Sequence, residues 1–154
     1  MSSILPKTFD YNGPFPRQSR RLRLGVVGGG RISVTQATAA RMTDRWEIVA
    51  GALSSDPAKA SARAGDWFID PMRSYASFVE MARLEAARSD GVDAVMITTP
   101  NHVHFDAAKA FLDQGIDVLC DKPLTNDPEE ADQLVAIAED TGLIFAVGYA
   151  MSCF

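Results

Sequence analysis

The stretch LCDKPLT, residues 119–125, ends an apolar run in Asp121, Lys122 and Pro123. An amine at the mouth of a buried strand can hydrogen-bond a hydroxyl or carbonyl and exchange a proton with it. Hydride removal from an alcohol leaves a proton to be taken up, which makes Lys122 the candidate catalytic residue. The bland alternative is a lysine paired with Asp121 or solvated at the rim. A second stretch, TTPNHVH over residues 98–104, places Thr99, Pro100, Asn101 and His104 after another apolar run. Proline stops the strand there, and the polar side chains provide donors and acceptors beside it. Both histidines of the chain, His102 and His104, fall in this turn. Without a nearby cysteine or paired carboxylate they make a poor zinc site, and no metal is expected.

A third stretch, GGGRIS over residues 28–33, follows the first apolar run. It matches the dinucleotide fingerprint G-x-G-x-x-G with Gly28 and Gly30 in the first two positions and Ser33 in the third. Gly28 would permit the tight turn and Gly30 the close approach of backbone amides to a pyrophosphate. A helix opening at Arg31 and Ile32 would add its N-terminal positive potential. The acid that usually ends the second strand and binds a ribose 2′-hydroxyl is replaced by Ser54 and Ser55. Serines can donate to a 2′-phosphate and Lys59 is one turn away, so NAD and NADP both stay open. Asp56 precedes Pro57 and reads first as a helix cap.

These stretches need elements that bring them to one place. From Leu22 the chain repeats an apolar strand, a small-residue turn and a helix. The strands are LRLGVVG, WEIVAGALS, a weak third near Met72 to Tyr75, VDAVMITT, IDVLC and LIFAVGYA. Helices are expected over residues 31–42, after Asp56, from about Ser77, over HFDAAKAFLDQG up to Gly115, and after Asp127 and Pro128. Near-continuous apolar strands alternating with helices predict an α/β fold, a doubly wound parallel sheet of order 3-2-1-4-5-6. In such a sheet ligands bind outside the carboxyl ends of the strands, where all three stretches fall. Residues 1–20, with three prolines and no periodicity, read as an irregular arm before a domain over residues 21–154.

A net charge of −5 with scattered basic residues argues against a nucleic-acid partner. No apolar stretch approaches the ~20 residues of a membrane span. QSRRLRLGVVGGG has the paired arginines of a twin-arginine export signal, but its apolar run collapses into glycines and Arg31, and a cytoplasmic location is expected. Cys120 and Cys153, too few and too irregularly spaced for a disulfide scaffold, read as free thiols.

GVVGGGRIS, TTPNHVHFDAAKAFLDQGIDVLCDKPLT and FAVGY together closely resemble the cofactor domain of the glucose-fructose oxidoreductase, inositol dehydrogenase and rhizopine-catabolism oxidoreductase family, from about Leu22 onward. Asp-Lys-Pro stands where that family has Glu-Lys-Pro. The resemblance implies an NAD- or NADP-dependent oxidoreductase acting on a hydroxyl or carbonyl of a sugar, inositol or related polyol, with a homo-oligomer as the complete protein. By position, Gly28, Gly30, Arg31, Ile32, Ser54 and Ser55 would hold the cofactor's phosphates and adenosine side. Thr99, Pro100, Asn101, His104 and Asp121 would shape the nicotinamide side, and Lys122 would contact the reacting oxygen. A second, substrate-binding domain is expected in family members and is not found in these residues. A non-catalytic dinucleotide-binding module, such as a sensor or partner subunit, is the competing reading.

Overall fold

Strands that are apolar along both faces need cover on both sides, and the sheet is covered in that way. The computed structural model describes residues 20–149, so the arm expected over residues 1–20, apart from Arg20, and Cys153 lie outside the described residues. Five strands, β1 (Leu22–Val27), β2 (Trp46–Ala52), β3 (Ala94–Ile97), β4 (Asp117–Asp121) and β5 (Phe145–Gly148), alternate with helices. The helices are α1 (Arg31–Met42), α2 (Pro57–Asp66), α3 (Phe78–Ala86), α4 (His104–Leu112) and α5 (Pro128–Thr141). Every strand pair is parallel, in the order β2-β1-β3-β4-β5. Alternate residues of β3 serve opposite faces. Val95 and Ile97 pack with Met81, Phe111 and Leu134 from α3, α4 and α5, while Met96 joins Leu24, Ala37, Ala64 and Trp67 against α1 and α2.

Local chemistry starts and stops the helices where the sequence marks them. Asp56 accepts from the amides of Ala58 and Lys59 at 2.9 and 3.2 Å, and Pro57 fills the first turn of α2. Ser77 accepts from the Glu80 amide at the start of α3, and Asp127 from the Glu129 amide at the start of α5. Gly142 ends α5 in the left-handed conformation, φ 71°. The arginines before the first glycines belong to the fold: Arg20 pairs with Asp93 at 2.6 Å, Arg21 pairs with Asp44, and Leu22 opens β1.

The weak third strand is corrected. Residues Pro71–Arg73 form a single 3-10 turn, begun by Asp70, which accepts from the Met72 amide at 2.8 Å. Proline cannot donate to a ladder at this point. Only Ser74 bridges to β2, opposite Gly51, and the Tyr75 amide donates to the Gly51 carbonyl at 2.8 Å. The predicted order is therefore kept, with its outermost strand reduced to one bridge.

What holds this segment is a buried polar knot that the sequence pattern did not reveal. Glu85, 1% exposed, accepts from Arg73 Nε at 3.0 Å and from a second guanidinium nitrogen, from the Tyr75 hydroxyl at 2.6 Å and from the Val92 amide at 3.1 Å. A carboxylate this deep is tolerated because its oxygens are saturated with donors. Burial, followed by the bond to Glu85, pushes the Tyr75 phenol up to about 12.

Candidate dinucleotide site

The site forms where the chain leaves β1 to one side for β2 and later returns on the other side as β3. The turn after β1 is tied to both neighbours: the Gly28 amide donates to the Ala52 carbonyl, and the Thr98 amide and hydroxyl both donate to the Val27 carbonyl, at 2.9, 2.9 and 3.1 Å. Gly28 has φ 99°, a conformation that side chains rarely adopt. A Cβ on Gly29 would lie 2.4 Å from the Leu53 carbonyl oxygen, so the turn packs directly on the end of β2. Gly30 differs from both. It is extended, with φ −77°, and nothing lies within 4 Å of where its Cβ would be. Ser33, fully buried in the place of the third glycine, turns its hydroxyl back to the Gly30 carbonyl at 2.6 Å and leaves no donor unsatisfied.

A cleft of about 620 Å³ opens over this turn, lined by Gly28 to Gly30, Ser54 and Ser55 on one side and Thr98, Thr99 and Pro100 on the other. Six of the expected positions thus share one cleft: Gly28, Gly30, Ser54, Ser55, Thr99 and Pro100. The Thr99 hydroxyl oxygen is buried and has no hydrogen-bond partner, an unfilled polar position of the kind a ligand satisfies. The open space at Gly30 and the unpaired hydroxyl both fit an extended polar ligand such as a dinucleotide. Asp56 is committed to its cap. The adjoining 430 Å³ hollow beyond Gly29 and Gly30 is lined by Ser54, Lys59, Arg63 and Asp66.

The other expected residues lie around the cleft and do not line it. Arg31 and Ile32 are exposed at the start of α1, and Asn101 is exposed in the turn before α4. His104 is 1% exposed, its two ring nitrogens 2.7 and 2.9 Å from the carbonyl oxygens of Pro123 and Thr99. Asp121 is half-buried at the end of β4. Lys122 is exposed, and no ion pair with Asp121 holds it. Since Ile97 of β3 pairs with Cys120 of β4, Thr99 and Lys122 each stand two residues beyond the same rung of the ladder. The Lys122-Pro123 bond is cis. Burial, together with the charge of Asp121, pushes the Cys120 thiol up to about 12, which removes it from nucleophilic chemistry at neutral pH.

Sequence reasoning missed the far wall, made of Ala76, Ser77, Phe78 and Val103. A helix start near Ser77 was legible, but its approach to the glycine turn depends on the path of the 3-10 segment. Among the described residues no cluster of His, Cys, Asp or Glu could hold a metal ion, and no helix is long and apolar enough to cross a membrane.

A family model described as an oxidoreductase family with an NAD-binding Rossmann fold matches residues 22–149. The crystal structure of an oxidoreductase from Sinorhizobium meliloti is 48% identical with a TM-score of 0.80, over 84% of this chain and 37% of that one. An inositol dehydrogenase homolog from Azotobacter vinelandii, complexed with NADH and myo-inositol, is 34% identical with a TM-score of 0.82, over 85% of this chain and 35% of that one. A D-xylose 1-dehydrogenase (NADP(+)) of Haloferax volcanii is 34% identical over 79% of this chain and 35% of its own length. The chain spans a little over a third of the length of the proteins it matches.

Proposed function

From the premise that this chain belongs to the oxidoreductase family with the NAD-binding Rossmann fold, we propose that it is the cofactor-binding half, residues 21–154, of a nicotinamide-dependent oxidoreductase. Its substrate class is a sugar, inositol or related polyol, oxidised at a hydroxyl or formed from the carbonyl. The observation that carries this reading is the single cleft at the carboxyl ends of β1 and β3, open at Gly30, with the unpaired Thr99 hydroxyl in its wall.

The bound dinucleotide supplies the hydride acceptor or donor. The chain's own residues bind and orient it. Backbone amides of Gly29 and Gly30 and the N-terminus of α1, with Arg31 and Ile32, would hold the phosphates, while Gly28, its amide tied to the Ala52 carbonyl, makes the turn that presents them. Ser54 and Ser55 meet the adenosine ribose, and with no free acid at the end of β2 the 2′-phosphate of NADP is admitted as well as the diol of NAD. Thr99, Pro100, Asn101 and Asp121 bound the nicotinamide side. Lys122, as a free amine, takes the hydroxyl proton when hydride leaves the carbinol carbon. As an ammonium it returns that proton to the carbonyl oxygen in the reverse direction. The names of the Azotobacter and Haloferax relatives support the substrate class. The family resemblance further implies a homo-oligomer, the collapsed export signal favours the cytoplasm, and the net charge of −5 argues for a small-molecule rather than a nucleic-acid partner.

Calorimetry of the chain with NAD and NADP tests the binding half of this reading, and failure to bind either would end it. Turnover on a panel of polyols is tested in the complete oxidoreductase. There Lys122→Met is expected to keep cofactor affinity and lower turnover by roughly 10²–10⁴-fold, the usual contribution of a positioned acid-base group. Full activity in that variant would make Lys122 a solvated rim residue.

A further inference from the structure

We infer that His104 is a positioning residue that braces the two turns on the nicotinamide side of the cleft against each other, without itself touching cofactor or substrate. The inference rests on the dinucleotide reading of the cleft.

The last rung of the β3–β4 ladder pairs Ile97 with Cys120. Beyond it the two chains separate, one into Thr99 and Pro100, the other into Lys122 and Pro123. The imidazole of His104 reaches both turns, with Nε2 2.9 Å from the Thr99 carbonyl oxygen and Nδ1 2.7 Å from the Pro123 carbonyl oxygen. A neutral ring has one N–H to donate to either carbonyl, and a protonated ring donates to both. The ring is 1% exposed, with both nitrogens already against backbone oxygens, so neither is free for a ligand.

The brace has a firm base. His104 opens α4, whose Ala107, Ala108, Phe111 and Leu112 are all at most 1% exposed in the core. What it positions borders the cleft or its rim. Thr99 lines the cleft with its buried, unpartnered hydroxyl, and Lys122 precedes the braced Pro123 without an ion pair to Asp121. Neither turn is held by a regular ladder, so the ring sets their separation, and with it the width of the nicotinamide end. The phosphate end is held independently by the Gly28 and Thr98 bonds to Ala52 and Val27. Loss of the ring therefore loosens one end of the cleft and spares the other.

This asymmetry separates positioning from general stability. The chain is titrated by calorimetry with NAD⁺ and with ADP-ribose, which lacks the nicotinamide, in the native form and as His104→Ala and His104→Gln. Thermal unfolding is recorded on the same samples. The expected result is that ADP-ribose affinity is unchanged in both variants while NAD⁺ affinity falls by about 10-fold in His104→Ala. It falls less in His104→Gln, whose amide can still donate to the Thr99 carbonyl. If His104→Ala does not fold, the His104→Gln titrations decide alone by the same comparison of the two ligands. Equal weakening of both ligands, or no weakening of NAD⁺, overturns the inference. If the native chain binds neither ligand, the dinucleotide reading falls and this inference falls with it. Native binding of ADP-ribose together with unchanged NAD⁺ affinity in the variants removes the brace alone.

Discussion

Two adjacent glycines in the first turn do opposite jobs, and substitution separates them. A Cβ at Gly29 meets the Leu53 carbonyl at 2.4 Å, a backbone atom that cannot step aside. Gly29→Ala is therefore expected to destabilise the fold by about 1–3 kcal/mol, the usual cost of overpacking. Gly30 has an ordinary extended φ and free space around its missing side chain. Gly30→Val is expected to unfold at the native urea midpoint within error while losing dinucleotide affinity, because the new side chain fills the opening to which the proposed function assigns the phosphates. Paired urea and calorimetric titrations check both. A Gly30→Val protein that binds normally would show that the cleft is not used at that point.

At the scale of an element, the least sheet-like segment carries the most concentrated polar bonding. The 3-10 turn over Pro71–Arg73 is followed by one bridge to the sheet, at Ser74, and the side chains of Arg73 and Tyr75 anchor the segment to Glu85 of α3. Removing the carboxylate leaves a guanidinium with little access to water and without its main partner, since Asp90 approaches it only at 4.0 Å. Glu85→Ala is expected to cost about 3–5 kcal/mol, as measured by urea denaturation. Tyr75→Phe loses a single bond to a charged acceptor and is expected to cost about 1.5–3 kcal/mol. Since this segment leads to Ala76, Ser77 and Phe78 in the cleft wall, Glu85→Ala should also weaken ligand binding. A Glu85→Ala protein as stable as the native one would mean that the knot does not hold the segment.

For the whole molecule, groups at opposite ends of the pH scale shape stability. The bonds from Arg20, and then from the Arg23 amide and side chain, hold the Asp93 carboxyl well below its ordinary 3.8. Its folded form binds a proton less readily than its unfolded form. The stabilisation is therefore complete above the unfolded value and is lost as pH falls through 3.8 towards the folded one. Asp93→Asn is expected to be less stable at pH 7 and to lose less further stability between pH 5 and pH 2. At the alkaline end the signs reverse. The Cys120 thiol rises from 9.0 to about 12 and the Tyr75 phenol from 10.0 to about 12, so both ionise more readily in the unfolded chain. Stability is complete below pH 9 and falls as pH climbs from there towards 12. Cys120→Ala should flatten that decline, as measured by urea midpoints from pH 8 to pH 11. An unchanged alkaline slope would show that the thiol ionises alike in both states.

The sequence by itself determined the alternation of strands and helices, the caps at Asp56 and Asp127, and the three strand ends that carry chemistry. These are local matters: an apolar run, a proline, a carboxylate two residues before an amide. The limits of α1 follow the pattern to the residue, and Gly28 has the positive φ that its place in the fingerprint requires. Tertiary structure decided the rest. The third strand failed because Asp70 and Pro71 begin a turn, and because Arg73 and Tyr75 find a better partner in Glu85, ten or more residues away, than in a ladder. The cleft's far wall follows from that detour. His104 shares a motif with Thr99 and Pro100, yet its ring is turned inward between two backbone carbonyls that lie 19 and 5 residues away along the chain. Which polar side chains face a cleft and which hold it open depends on contacts between segments distant in sequence, and no local pattern records those distances.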